Sequence, residues 1–218
     1  TLGKGLLPTG LAKEQLPVEG LGEFTVSIVD AANPCVFVKA SDMGLTGTEK
    51  FEDVLANDDL WAKADKIRGT VAVKLGMFKD LASYLAINPT MPFCVFVQSP
   101  VDYIDYDTGK VVPASSYDLK GTIRFAGAVH RAYSGTGSVC TAVAAMLDGT
   151  VPNEVISDAA KKTNVFRIGH PSGVMEDEIQ VIKDGADYKI LRAAYGRTAR
   201  RIMEGFIHLK PWADEISS

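Results

Sequence analysis

The chain has 218 residues and a formal net charge of −4, long enough to bury a substantial core as one large domain or two small ones. The acidic balance argues against a nucleic-acid surface, which would show a basic face, and no apolar run approaches the ~20 residues of a membrane span. Three scattered cysteines and three scattered histidines give neither a disulfide framework nor metal-ligand spacing, so a protein without a metal, in a reducing, cytoplasmic compartment, is expected.

Residues 1–20 are rich in glycine and proline without periodicity and are expected to form a linker or lead-in loop, leaving 21–218 as a single domain. With no signal-peptide core and no initiator Met, the chain reads as processed, trimmed or a piece of something longer. Residues 23–30 alternate, with Phe24, Val26 and Ile28 on one side, which predicts a half-buried strand. Ala31-Ala32-Asn33-Pro34 reads as a turn, and the uninterrupted apolar run 35–38 as a second, more deeply buried strand. Thr48 is placed to cap a short helix from Glu49, and Asn57 or Asp58 a longer one. Leu60, Ala64, Ile67, Val71, Leu75, Phe78 and Leu85 form a helical stripe that Asn88-Pro89 ends, giving a helical region over about 49–88. Gly69 and Gly76 inside it cost roughly 1 kcal/mol each relative to Ala and mark a close approach or a kink.

Residues 93–98 predict another buried strand, Asp107-Thr108-Gly109-Lys110 a hairpin turn, and 119–125 a further strand. The segment over about 136–148 is apolar on nearly every face, so as a helix it must lie inside the fold. Strands follow over about 164–168, 174–182, 188–194 and 206–209, with Lys183-Asp184-Gly185-Ala186 as a tight turn. Antiparallel-looking strands with two main helical regions make an α+β fold.

The chemistry gathers at turns. Ser134-Gly135-Thr136-Gly137 opens the apolar helix. It reads evenly as a plain helix cap, with Ser134 or Thr136 as the capping hydroxyl, or as a seat for an anion on unpaired N–H groups. It is neither a dinucleotide fingerprint, since Cys140 stands where the last glycine belongs, nor a nucleotide P-loop. Gly169-His170-Pro171-Ser172-Gly173 reads first as a rigid turn and second as a loop offering the Ser172 hydroxyl and N–H groups to a carboxylate. Asn33-Pro34 is by itself a turn starter, His130 a satisfied buried histidine or, second, a polar lid, Cys140 a core residue, and Gly196 to Arg201 a basic loop that solvates a turn or attracts an acidic ligand.

Taken in order, Asp30-Ala31-Ala32-Asn33-Pro34-Cys35-Val36-Phe37-Val38, Gly44-Leu45-Thr46-Gly47-Thr48-Glu49, Thr136-Gly137-Ser138-Val139, Arg167-Ile168-Gly169-His170-Pro171-Ser172-Gly173 and the run from Arg197 to Gly205 resemble the PrpF family of 2-methylaconitate isomerase-like proteins. The resemblance spans nearly the whole chain. The family is in turn similar to diaminopimelate epimerase, whose corresponding turn reads Cys-Gly-Thr-Gly; here serine stands at Ser134 in place of the thiol, and Asn33-Pro34 also matches. The resemblance implies two pseudo-symmetric halves, each a curved, mostly antiparallel sheet wrapped around a central helix, with the active site between them. This chain resembles the second half; the first carries the lysine and cysteine thought to move protons, and nothing here matches it.

The function implied is that half of an isomerase, shifting a proton and a double bond in a small unsaturated di- or tricarboxylate without a cofactor. On this view Asn33 orients the substrate, Ser134 donates to it, and Gly135, Thr136 and Gly137 provide backbone donors. Ser172 and Gly173, with His170, hold a second carboxylate. The catalytic base belongs to an N-terminal half-domain or second polypeptide, so the chain alone is expected to be inactive; homo-oligomerisation stays open. The alternative is a non-catalytic carboxylate-binding or accessory module of the same fold. An amino-acid epimerase is disfavoured by Ser134, since a two-base route wants a thiol.

Overall fold

The computed structural model describes residues 2–3, 5–125, 127–185, 187–197 and 199–208. A first difference from the sequence reading lies inside the glycine-rich opening, where β1 (Glu14–Val18) forms an edge strand antiparallel to β2 (Gly22–Ala31). Leu16 and Val18 turn inward while Pro17 stays exposed. An edge strand tolerates the N–H that proline lacks, so Pro17 hid a real strand. One residue, Ala32 at φ 76°, separates β2 from β3 (Asn33–Lys39). Asn33 and Pro34 therefore begin the strand and are not the turn itself.

The expected helix start at Glu49 also shifts. α1 (Phe51–Leu55) begins after Lys50 with no side-chain cap. Thr48 and Glu49 belong to the preceding loop, where the Glu49 carboxylate accepts from Thr46 N at 2.5 Å, Thr46 Oγ1 at 2.7 Å and Gly47 N at 2.8 Å. Asn57 caps α2 (Asp58–Lys74), its side chain accepting from Leu60 N at 3.0 Å. The apolar stripe does not run on as one helix: Gly76 at φ 76° breaks it, and Asp80 caps a separate α3 (Leu81–Ile87). Both interior glycines have a physical reason. A Cβ on Gly69 would lie 2.4 Å from Leu81 Cδ1 and 2.7 Å from Tyr84 Cδ1, so Gly69 lets α3 fold down onto α2.

β4 (Phe93–Gln98) lies parallel to β3; β5 (Tyr103–Ile104) and β6 (Val111–Val112) form the expected hairpin apart from the main sheet. β7 (Leu119–Phe125), with β8 (Ala128–Val129) on its end, leads into α4 (Gly135–Met146). Thr150 caps α5 (Val151–Val155). β9 (Val165–His170), β10 (Gly173–Asp184) and β11 (Asp187–Tyr195) complete the sheet in the order β1-β2-β3-β4-β7-β9-β10-β11. Only the β3–β4 and β7–β9 neighbours are parallel among the described strands. Residues 206–208 form no strand, contrary to expectation, and their side chains are exposed. Leu209, Ala186 and Thr198 lie outside the described residues.

The sheet has two covered faces in its centre. Cys35 and Phe37 of β3 pack with Val95, Ile123, Phe166 and α4 on one side. Val36 and Val38 pack with Cys94, Phe96 and the Leu60, Ile67 and Val71 face of α2 on the other. That double burial is why β3 and β4 read as unbroken apolar runs. On α4 Cys140, Ala142, Val143, Ala144 and Ala145 are all fully buried, so the all-round apolar helix is the centre of the fold, as the sequence required.

Candidate functional site

Four segments meet at the start of α4. Ser134 precedes the helix with extended backbone, and its Oγ accepts from Gly137 N at 3.3 Å, the bond a serine cap makes. Asn33 reaches across from β3, donating through Nδ2 to Thr136 Oγ1 at 2.6 Å, and Thr136 Oγ1 lies 3.3 Å from Ser134 Oγ. A hydroxyl carries one proton. Thr136 Oγ1 can accept from both Asn33 and Ser134, or accept from Asn33 and donate to Ser134; in the second arrangement the Ser134 proton is left for another acceptor. The N–H groups of Gly135 and Thr136, at the helix start, are the unpaired donors that every helix leaves there. Thr136 is exposed and Ser134, Gly135 and Asn33 are half-buried, so these donors form an accessible ledge. Two of the expected donors are engaged within the protein: Gly137 N–H bonds to Ser134 Oγ, and Asn33 Nδ2 to Thr136 Oγ1.

The two glycines of the turn serve close packing. A Cβ on Gly135 would lie 2.5 Å from the Tyr195 ring, and one on Gly137 2.5 Å from Ile123 Cδ1. Tyr195, the last residue of β11, thus walls one side of the ledge, with the Arg197 guanidinium 5.8 Å from its ring centre. This brings the head of the basic loop beside the positive end of the α4 dipole.

The β9–β10 turn is tied to the same place. Ser172 Oγ donates to Arg131 O at 3.0 Å, and the His170 and Tyr133 rings lie 6.5 Å apart. Polar atoms of the expected carboxylate seat bond within the protein here. Ser172 N–H donates to His170 Nδ1 at 3.2 Å and Gly173 O accepts from Tyr103 Oη at 2.5 Å, so the turn's polar atoms hold its own shape. His170 is buried, and burial pulls its pKa down to about 4; His130 pulls the same way, against Asp105 and Asp107. His170 is therefore neutral at pH 7, with Nδ1 accepting and the proton on Nε2. It shapes the site and adds no positive charge to it.

Asp177 and Lys120 are among the buried ionisable groups that escaped the sequence reading. Asp177 of β10 is 1% exposed, and its Oδ1 lies 3.0 Å from Ser138 Oγ on the first turn of α4. Burial pushes it up to about 7, against the Ser138 hydrogen bond. The signal was available: Met175, Asp177 and Ile179 share one phase of β10, so a carboxylate stands on the inward side of a period-two pattern. Lys120 of β7 donates to Gly47 O and lies 3.7 Å from the centre of the Tyr103 ring. Burial lowers it to about 8, with Glu49 opposing. Lys120 borders a separate, small depression of about 40 Å³ with Leu45, Glu49, Phe51 and Tyr103, where it pins the 44–49 loop.

The cysteines add no nucleophile. Cys35, Cys94 and Cys140 are buried free thiols; burial pushes Cys94 up to about 12 and Cys35 well above the usual thiol range. Among the described residues no group of three or more His, Cys, Asp or Glu is placed to hold a metal ion, and no helix is long and apolar enough to cross a membrane.

Comparison with known proteins adds to this geometry. The model of the PrpF protein family matches residues 2–210. The 3-methylitaconate isomerase of Eubacterium barkeri is 40% identical over 205 residues, which are 94% of this chain and 52% of the relative. The 2-methyl-aconitate isomerase of Shewanella oneidensis is 32% identical over 207 residues, 95% of this chain and 51% of the relative. The crystal structure of methylitaconate-delta-isomerase superposes with a TM-score of 0.82 at 38% identity, covering 93% of this chain and 51% of that one. The chain thus spans about half the length of the curated relatives it matches.

Proposed function

This chain belongs to the PrpF protein family, and we propose that it supplies the substrate-holding wall of an isomerase that moves a proton and a double bond in a small unsaturated di- or tricarboxylate. The observation that carries the reading is the ledge at the start of α4, where Gly135 N–H, Thr136 N–H and the Ser134 hydroxyl converge. The relatives named for 3-methylitaconate and 2-methyl-aconitate supply the substrate class, since both compounds carry a carbon–carbon double bond beside carboxylates.

In such a reaction a base removes a proton acidified by conjugation, electron density spreads onto carboxylate oxygens, and a proton returns at the other end of the allylic system. Fixed donors facing those oxygens stabilise the transition state, each contributing on the order of 100-fold or more in rate. The ledge fits this role and not that of the base. Ser134 is a weak base at neutral pH, His170 is a weak base with its pKa pulled down to about 4 and its Nδ1 already accepting from Ser172 N–H, and the thiols are buried with raised pKa values. The base is accordingly assigned to an N-terminal half-domain or second polypeptide that closes over the ledge, and the chain alone is expected to be inactive.

The test is solvent exchange. The complete protein, incubated with 3-methylitaconate in deuterated water, should incorporate deuterium at the allylic carbon, read by proton NMR. Binding without incorporation would replace the isomerase by a carboxylate-binding module, and no binding would overturn both.

A further inference from the structure

Ser138 sits on the first turn of α4, and its hydroxyl faces two acceptors: Gly135 O at 2.9 Å and Asp177 Oδ1 at 3.0 Å. One hydroxyl proton cannot serve both. If Asp177 is a carboxylic acid, the bonds form a chain in which Asp177 O–H donates to Ser138 and Ser138 donates to Gly135 O. If Asp177 is ionised, Ser138 must turn to it and release Gly135. The second oxygen, Asp177 Oδ2, is buried with no hydrogen-bond partner, a costly arrangement for an anion and a milder one for an acid.

We propose that Asp177 is a positioning residue for carboxylate binding, held as the neutral acid behind the α4 ledge and coupled to it through Ser138. This rests on the reading of the ledge as the substrate seat. Ser138 lies one helical turn, about 5.4 Å, below the ledge, so an ionised Asp177 would compete with a bound carboxylate for the same helix dipole. Linkage is reciprocal: if the neutral acid favours the ligand, the ligand favours the neutral acid. Binding above neutral pH must therefore take up a proton.

The neighbours leave Asp177 to set this behaviour. On its own strand Glu176 and Glu178 occupy the opposite face, Glu178 paired with Arg192 of β11. Directly across lie Tyr195 on β11 and Phe166 on β9, with Arg167 paired to Asp118. α4 presents Ser138, and Tyr133 is the other titratable group that senses Asp177. No ion pair to Asp177 is present among the described residues. The raised value near 7 agrees with the one-proton argument, which stands on distances alone. His130 and His170 are the other groups near the ledge able to gain a proton on anion binding, and substitution separates them from Asp177.

The experiment uses the complete protein and 3-methylitaconate as the probe. Carbonyl-labelled aspartate NMR should show the Asp177 carboxyl titrating near neutrality without any ligand. Calorimetry at pH 7.5 in buffers of different ionisation enthalpy should show proton uptake on binding, and affinity should fall about tenfold between pH 6 and pH 8.5. In Asp177→Asn, whose amide still donates to Ser138, uptake should vanish and affinity become flat with pH. An Asp177 titrating in the ordinary carboxylate range, or uptake unchanged in Asp177→Asn, overturns the proposal. The NMR arm needs no variant. If Asp177 titrates near neutrality but the probe binds at no pH, the ledge reading fails and takes this role with it; if the probe binds with no proton uptake, the ledge stands and the proposal alone fails.

Discussion

Two of the buried carboxylates, Asp65 and Asp177, lie on opposite faces of the sheet, and the protein treats them differently. Asp65 on α2 accepts from Arg68 Nη1 at 2.9 Å, from Arg124 Nε at 3.2 Å and Nη2 at 2.8 Å, and from Asn88 Nδ2 at 3.2 Å. Burial alone would raise its pKa, but Arg124 and Arg68 outweigh that and hold it below the usual carboxylate range. Arg68, itself fully buried, also donates to the carbonyls of Pro89, Thr90 and Pro92, so one network ties α2 to β7 and to the lead into β4. Asp177 has one hydroxyl on one oxygen and nothing on the other. Complete pairing marks a joint of the architecture. On the proposed reading, incomplete pairing beside unpaired helix N–H groups belongs to a ligand site.

Breaking the complete network should have the largest effect. Asp65→Ala leaves two buried guanidinium groups without their carboxylate and should cost about 3–5 kcal/mol in urea unfolding. In the wild type, because folding lowers the Asp65 pKa, its contribution is present above the unfolded value near 4 and is lost as pH falls through the folded one. Asp177 has the opposite sign. Folding raises its pKa to about 7, so its ionisation costs stability, beginning above about 4 and complete above about 7. Asp177→Asn should therefore be more stable than the wild type at pH 8, by on the order of 3 kcal/mol, with the gap closing toward pH 4 in the same urea experiment.

At the ledge, Gly135→Val drives a side chain into the Tyr195 ring and displaces the donors. We expect kcat/KM of the complete protein to fall at least about 100-fold, measured as isomerisation of 3-methylitaconate. Ser134→Ala removes a cap and one donor, with about 1 kcal/mol lost on thermal unfolding. Retention of rate in Gly135→Val would erase the contrast between the two regions, since the ledge would then be as purely architectural as the Asp65 network.

Much of this was legible in the residues. The apolar circumference of α4 required burial, and the double apolar runs at β3 and β4 required cover on both faces. Ser134 announced its cap. The motifs at 33, 134–137 and 170–173 do converge, though each read alone as a turn. What escaped is physical in origin. Pro17 masked an edge strand because proline is forbidden only where its N–H is needed. Thr48 looked like a cap because its identity was right, but Glu49 drew the loop's N–H groups to itself. The continuous stripe through Leu75 hid the break at Gly76 because helical phase survives a short loop. The Asp65–Arg124 and Ser138–Asp177 pairs join residues 59 and 39 positions apart, which no local pattern encodes.

The central claim, that the start of α4 seats a carboxylate, is tested most directly by backbone amide NMR of Gly135 and Thr136 during titration of the complete protein with 3-methylitaconate. Saturable downfield shifts of both amide protons are expected, with Gly137, already bonded to Ser134, moving least. Shifts confined to the Lys120 depression, with Gly135 and Thr136 unmoved at saturation, would contradict it.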